Sequence, residues 1–268
     1  MRLSNKSFSI RRLAIMIVIA VALLYLGACA FLYVRQRSML FFPTKGFTPE
    51  SATSLTAQNE GETIRVCSRV SGSSKAVIYF GGNSEDVGFV FSDLAKAIPD
   101  RDLYLVNYRG YGGSTGSPSE PAFFSDALAV YDLARQRSRN ISVIGRSLGS
   151  GVASYLASHR TVDKLILVTP YDSIENVAKV HYPIFPISLL LKDKFDSASR
   201  AKEISAPTLF LLAEDDSVIP RANSEALIDR FRPDQITVQV IAGTDHNSIG
   251  RSHEYFDRMG EFLKPASK

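Results

Sequence analysis

A serine, a histidine and a cluster of carboxylates stand in this sequence where nucleophilic acyl chemistry would need them. Ser147 is the centre of Gly145-Arg146-Ser147-Leu148-Gly149. A serine hydroxyl is a poor nucleophile near neutral pH and needs an adjacent base to take its proton. His246, in Ala242-Gly243-Thr244-Asp245-His246-Asn247, is the candidate base. A carboxylate must then hold the imidazole in one tautomer and stabilise the imidazolium. The candidates lie in Ala213-Glu214-Asp215-Asp216-Ser217-Val218-Ile219-Pro220, with Asp215 and Asp216 both open on this ground. Asp245, beside the histidine, reads as a turn residue. His159, His181 and His253 read as structural or exposed, with His181 the one best placed to touch a substrate. The order serine, acid, histidine is the one that a nucleophile elbow predicts.

The elements that would position these groups are legible around them. Residues 141–144 read as a short buried strand and residues 152–157 as the apolar face of a helix. A Gly-x-Ser-x-Gly between strand and helix makes a tight turn that projects the hydroxyl outward, and small residues flank it because neighbouring backbone passes close by. The developing oxyanion needs two backbone N–H groups. One is expected from Leu148, at a helix N-terminus. The other is expected from Gly81-Gly82-Asn83, with the Asn83 N–H first and Gly82 next.

Beyond residue 35 the chain alternates short branched runs with longer amphipathic segments. Strands are expected at 75–80, 103–107, 141–144, 164–168, 208–212 and 236–241, and an antiparallel edge strand at 63–70. Helices are expected at 85–98, 120–137, 148–158, 222–231 and 253–263. Short, continuous apolar runs are the signature of parallel strands buried on both faces, so the fold class is α/β with helices on both sides of a parallel sheet. The acid cluster and His246 each directly follow a strand. Both therefore fall at the sheet edge that carries Ser147, the edge where open α/β sheets place ligands. Residues 171–206 interrupt the rhythm. Tyr182-Pro183-Ile184-Phe185-Pro186 cannot lie in one regular helix, and the segment reads as a lid. Its Tyr182, Ile184, Phe185 and residues 189–191 suggest an apolar acyl pocket, with Tyr182 and Phe185 as substrate-binding residues. Asn107-Tyr108-Arg109-Gly110-Tyr111-Gly112-Gly113-Ser114 reads as a brace, with Arg109 holding the loop.

Residues 13–34 hold no charge. As a helix these residues cover about 33 Å, enough for a bilayer core of about 30 Å. A basic tail, residues 1–12, carries Arg2, Lys6, Arg11 and Arg12, while Arg35 and Arg37 follow. The positive-inside rule places the N-terminus in the cytoplasm and the catalytic domain on the outer side. Tyr25 and Tyr33 would lie near the outer interface, and residues 39–43 would dock on the domain close to the membrane. Leu26-Gly27-Ala28-Cys29 leaves a lipoprotein anchored through Cys29, or simple cleavage, as alternatives.

The chain has 268 residues, a net charge of +4 and no basic block interleaved with aromatics after its N-terminus, which speaks against nucleic acid as a partner. Its two cysteines, Cys29 and Cys67, have no metal-site spacing.

Phe80-Gly81-Gly82-Asn83, Asn107-Tyr108-Arg109-Gly110-Tyr111-Gly112, the Ser147 elbow, Asp216-Ser217-Val218-Ile219-Pro220 and Asp245-His246-Asn247 together resemble the α/β-hydrolase superfamily over residues 38–264. The likeness is to its membrane-anchored branch, which includes bud-emergence-like hydrolases and eukaryotic depalmitoylases. The resemblance implies an eight-stranded, mostly parallel sheet and a Ser147–Asp216–His246 triad; the Asp-x-x-x-Pro spacing selects Asp216. Gly81 departs from the pattern, since many members carry histidine there. The expectation is a membrane-anchored serine hydrolase that cleaves an ester, thioester or amide bond through an acyl-enzyme, most simply a carboxylic ester hydrolase, needs no metal or cofactor and acts on a small-molecule or acylated, amphiphilic substrate. An inactive scaffold and an acyltransferase using the same triad are the alternatives.

Overall fold

A computed structural model describes residues 4–264. Of the basic residues ahead of the apolar run, Arg2 lies outside this range. The eight strands are β1 (Thr53–Asn59), β2 (Glu62–Arg69), β3 (Lys75–Phe80), β4 (Asp102–Val106), β5 (Asn140–Arg146), β6 (Leu165–Val168), β7 (Thr208–Ala213) and β8 (Ile236–Ile241). They form one sheet in the order β1-β2-β4-β3-β5-β6-β7-β8. β1 and β2 are antiparallel, β2 is antiparallel to β4, and every other pairing is parallel.

The helices are α1 (Ser4–Leu40), α2 (Val87–Ala97), α3 (Glu120–Arg135), α4 (Leu148–His159), α5 (Ile174–His181), α6 (Ile187–Leu190), α7 (Ser197–Arg200), α8 (Arg221–Ile228) and α9 (His253–Leu263). Side chains alternate across a strand, and the strands feed two cores accordingly. Ala76, Ile78 and Phe80 of β3 join Phe123 of α3 and Val152 and Leu156 of α4 on one side. Val77 and Tyr79 join Phe91 and Leu94 of α2 and Tyr255 and Met259 of α9 on the other. This is the predicted architecture, with helices on both faces.

The structure corrects the sequence reading at one edge. β2 matches the predicted strand at 63–70, but it is not the edge; β1 lies outside it. The turn between them, Glu60-Gly61, has positive φ at both residues, 51° and 81°, as a two-residue hairpin turn requires. In β1 only Ala57 is buried, so TSLTAQN carries too few apolar residues to read as a strand. Its end is pinned instead by the Asn59 amide, which donates to Ser125 and Asp126 of α3 at 2.8 Å.

The strand order sets where the site must be. From β3 the chain moves to β4 on one side, then crosses back to place β5 on the other. The chain leaving β3 enters α2 on one face, and the chain leaving β5 enters α4 on the opposite face. The two loops diverge and leave a crevice at the carboxyl ends of these strands.

α1 is far longer than the predicted span. Its stretch Ile10–Leu40 is 31 residues long and apolar enough to cross a membrane. Val18 and Leu24 are 67% and 75% exposed. An exposed apolar surface this extended needs a partner or a lipid environment. The predicted docking of residues 39–43 is carried by Phe41, buried against Phe123 and Phe195.

Candidate active site

Ser147 occupies the turn between β5 and α4 with φ 50° and ψ −118°, a region costly for a residue with a side chain. The turn is over-determined by its neighbours. The Ser147 N–H donates to Val168 O at 2.9 Å. A Cβ on Gly149 would collide with the Phe80 carbonyl oxygen, and one on Gly145 with the Gly149 oxygen, so the strand and helix close on each other only through glycine. A serine at this position before a helix ordinarily caps it through its hydroxyl. Ser147 makes no such bond, which leaves the hydroxyl to point elsewhere.

That hydroxyl meets His246. Ser147 Oγ and His246 Nε2 are 2.9 Å apart, and His246 Nδ1 lies 2.8 Å from Asp216 Oδ2. The other Asp216 oxygen accepts N–H groups from Val218 and Ile219 at 2.9 and 2.8 Å. These bonds fix the carboxylate while its partner oxygen faces the imidazole. Both His246 and Asp216 side chains are about nine-tenths buried, at 9% and 10% exposure. Asp215 is exposed and faces away, with its N–H on Thr244 O. Asp245 makes the predicted turn: its Oδ1 accepts from Asn247 and Ser248 N–H, and those bonds hold its carboxyl below the usual range.

The candidate oxyanion donors do not fare equally. Leu148 opens α4, so its N–H has no partner within the helix. Leu148 and Asn83 line a cavity of about 460 Å³ with Ser147 and His246. Gly82 also lines it, but its N–H donates to Glu85 Oε2 at 2.7 Å. Gly82 is therefore not a free donor, which corrects its place among the expected donors.

The Glu85 network is absent from the sequence reading. Glu85 accepts from Gly82 N–H, from Tyr79 O–H at 2.7 Å and from Arg146 Nη1 at 3.1 Å. Arg146 Nη2 reaches the His246 carbonyl at 3.2 Å. One buried ion pair thus joins the loop after β3, the elbow and the histidine loop. Burial works against the Arg146 charge, but the adjacent Glu85 carboxylate outweighs it and holds the guanidinium protonated. The identity of the residue beside the nucleophile was visible, but a partner 61 positions away was not.

The brace predicted at residues 107–114 reaches the site. Tyr108 O–H donates to Gly81 O at 2.7 Å, and Tyr111 O–H to Asn83 Oδ1 at 2.9 Å. Arg109 pairs with Asp126 at 2.6 Å and with Glu60 at 3.1 Å.

The lid residues divide. Tyr182 lines the Ser147 cavity, as does His181, whose Nε2 lies 2.9 Å from Val218 O. Phe185 does not; its ring stacks on Tyr25 of α1 at 5.9 Å. Two prolines force the chain out of helical geometry between α5 and α6, and this turns Phe185 toward α1 rather than toward Ser147. Ile184 and Leu189 are 71% and 82% exposed and likewise face outward. Leu40 and Phe42, from the end of α1 and just beyond it, line the cavity instead.

Glu175 clamps the lid to itself. Lys179 and Lys194 each lie 2.7 Å from its carboxylate, and Ser188 donates to it at 2.6 Å. Lys179 chiefly, with Lys194 and Ser188, lowers its pKa from 4.5 to about 2. A depressed carboxylate stabilises the fold above its ordinary pKa, and that contribution is lost as pH falls toward the folded value. The clamp is therefore expected to weaken between about pH 4.5 and 2. Amide exchange in α5 and α6, referenced to β3, should rise over that window in the wild type. Glu175→Gln should already exchange faster at pH 6 and lose the step; an unchanged step would exclude the clamp.

The sequence pattern of the α/β hydrolase fold matches residues 75–189. An uncharacterized protein of Mycobacterium tuberculosis is 32% identical over 253 residues, 87% of this chain and 88% of its own length. The lysophosphatidylserine lipase ABHD12 of Xenopus tropicalis is 32% identical over 219 residues, 72% of this chain. The match spans only 56% of that lipase. Among solved structures, an esterase of Pyrococcus furiosus superposes with a TM-score of 0.66 at 17% identity, covering 83% of this chain and 98% of that one. Est1E of Butyrivibrio proteoclasticus gives 0.64 at 16% identity, covering 78% and 97%.

Proposed function

The chain belongs to the α/β-hydrolase family, and from that premise we propose that it is a membrane-anchored serine hydrolase working through a covalent acyl-enzyme. Its relatives and structural neighbours place it among hydrolases. In the finer reading, Ser147 Oγ attacks a carboxylic ester carbonyl while His246 Nε2 takes the hydroxyl proton. The N–H groups of Leu148 and Asn83 hold the oxyanion, helped by the positive end of α4. Collapse of the tetrahedral adduct expels the alcohol, which leaves with the proton from His246. Water then adds to the acyl carbonyl by the same route and frees Ser147. Asp216 keeps Nδ1 protonated and stabilises the imidazolium.

The observation that carries this reading is the continuous pair of short contacts from Ser147 through His246 to Asp216, at 2.9 and 2.8 Å. Thioesters and amides present the same carbonyl to the same groups. The name of the ABHD12 relatives favours a single-chain amphiphile over a water-soluble ester. An uncleaved α1 would hold the enzyme at a bilayer, with the N-terminus cytoplasmic because basic residues are denser ahead of the span than after it. The test is fluorophosphonate labelling of the full chain. Wild type should be labelled on Ser147 and Ser147→Ala not at all; equal labelling of the two would remove Ser147 from the chemistry.

A further inference from the structure

The residues of α1 that face the protein form a single stripe. Tyr25, Cys29, Leu32, Gln36 and Leu40 recur every three or four positions, the spacing of one helix face. All but Tyr25 are buried or half-buried, in a helix otherwise mostly exposed. The lid packs on this stripe. Tyr25 O–H donates to Ile184 O at 2.7 Å, the Gln36 amide donates to Leu190 O at 2.9 Å and accepts from Lys192 N–H at 2.7 Å, and Arg37 pairs with buried Asp193 at 2.8 Å. With its polar atoms engaged in this way, Gln36 leaves an apolar groove between helix and lid. The groove holds about 130 Å³.

Two observations say what fills it. The first is continuity: Leu40, Ile174, Ala178 and Tyr182 line both this groove and the Ser147 cavity. The second is its position along the anchor. Tyr25 lies nine residues before Val34, the last of the uncharged run, which is about 13 Å along the helix axis. On this count Tyr25 does not lie near the outer interface, as expected from the sequence, but at the depth of lipid tails, and the exposed lid side chains Ile184 and Leu189 extend that apolar surface. Water is a poor occupant for a groove opening there, and an acyl chain is a good one.

We propose that the last turns of α1 form one wall of a groove that takes the substrate's acyl chain directly from the leaflet and leads its carbonyl to Ser147. The anchor is then a substrate-binding element as well as a tether. From Leu32 to Leu40 the wall runs about 12 Å. The end nearest Ser147 is tied to the site itself: Asn83 donates its side-chain amide to Leu40 O at 2.5 Å and accepts from Phe42 N–H at 3.1 Å. The inference rests on Ser147 as nucleophile and α1 as a membrane span.

The test uses the full chain in phosphatidylcholine vesicles with four-carbon and sixteen-carbon nitrophenyl esters. Leu32→Trp and Leu191→Trp, on opposite walls of the groove, should each lower the ratio of kcat/KM for the long over the short ester by tenfold or more. Leu24→Trp, off the stripe, should leave that ratio within twofold. A ratio unchanged in both groove variants, or equally changed in Leu24→Trp, overturns the groove. A second measurement does not depend on tolerating tryptophan. A sixteen-carbon fluorophosphonate with a terminal diazirine, bound to wild-type Ser147, should crosslink to residues 32–40 or 187–191. Labelling at Ser147 with crosslinks only elsewhere overturns the groove alone. Failure to label Ser147 overturns the catalytic reading on which it stands.

Discussion

Replacing His246 with alanine is expected to lower kcat/KM for a short-chain ester by roughly 10⁴- to 10⁶-fold, since members of such a relay act as a unit. Without the imidazole, Ser147 keeps its proton, and the leaving alkoxide has no acid to protonate it. Residual turnover would then rest on substrate binding and the candidate oxyanion donors. Asp216→Asn should lose about 10⁴-fold, because the amide can donate to Nδ1 and so favour the wrong tautomer. Steady-state kinetics checks both, with circular dichroism to show that the fold is retained. A His246→Ala enzyme within tenfold of wild type would take the histidine out of the reaction, however short its contact with Ser147.

The second large effect is on stability. Glu85→Ala should cost about 3–5 kcal/mol, because it strands the Arg146 charge in a buried setting. The side chains of the pair are only 16% and 12% exposed. The same change leaves Gly82 N–H and Tyr79 O–H without their acceptor. For a domain of this size the thermal midpoint should fall by roughly 6–20 °C. Glu85→Gln, which keeps an acceptor but not the charge, should fall between the two. Adding Arg146→Met to Glu85→Ala should recover part of the loss, since an unpaired buried charge costs more than an apolar replacement of the pair. A double variant less stable than Glu85→Ala would show that Arg146 contributes mainly through its reach to the His246 carbonyl.

The same network bears on donor geometry as well as on stability. By taking the Gly82 N–H, Glu85 removes that group from the donors that the loop after β3 could offer an oxyanion. Glycine at 81 and 82 lets the chain pass close to the elbow, but a sequence of three small or polar residues does not say which N–H points inward. What sets Gly82 apart as a candidate donor is one hydrogen bond of 2.7 Å from its N–H to Glu85.

The sequence by itself determined the parallel strands, because strands covered on both faces must be apolar at nearly every position, and such runs stand out. From the strands followed the sheet edge on which Ser147, Asp216 and His246 meet, and the resemblance chose Asp216 from its neighbours. The presence of an N-terminal apolar helix was legible for the same reason, since an unbroken run without charge has few other uses; its length was not, because α1 continues through the charged residues on both sides of that run.

Tertiary structure alone decided the rest. β1 carries its pairing in backbone hydrogen bonds, which leave no mark on side-chain types. Glu85 and Arg146 meet only because β3 and β5 are neighbours. The docked face of α1 was hidden most completely, because lipid and a protein groove accept the same apolar residues and neither leaves a polar stripe to mark the boundary. Only the packed lid distinguishes the face at Leu32 and Leu40 from the one at Leu24, through its packing and its hydrogen bonds to Tyr25 and Gln36.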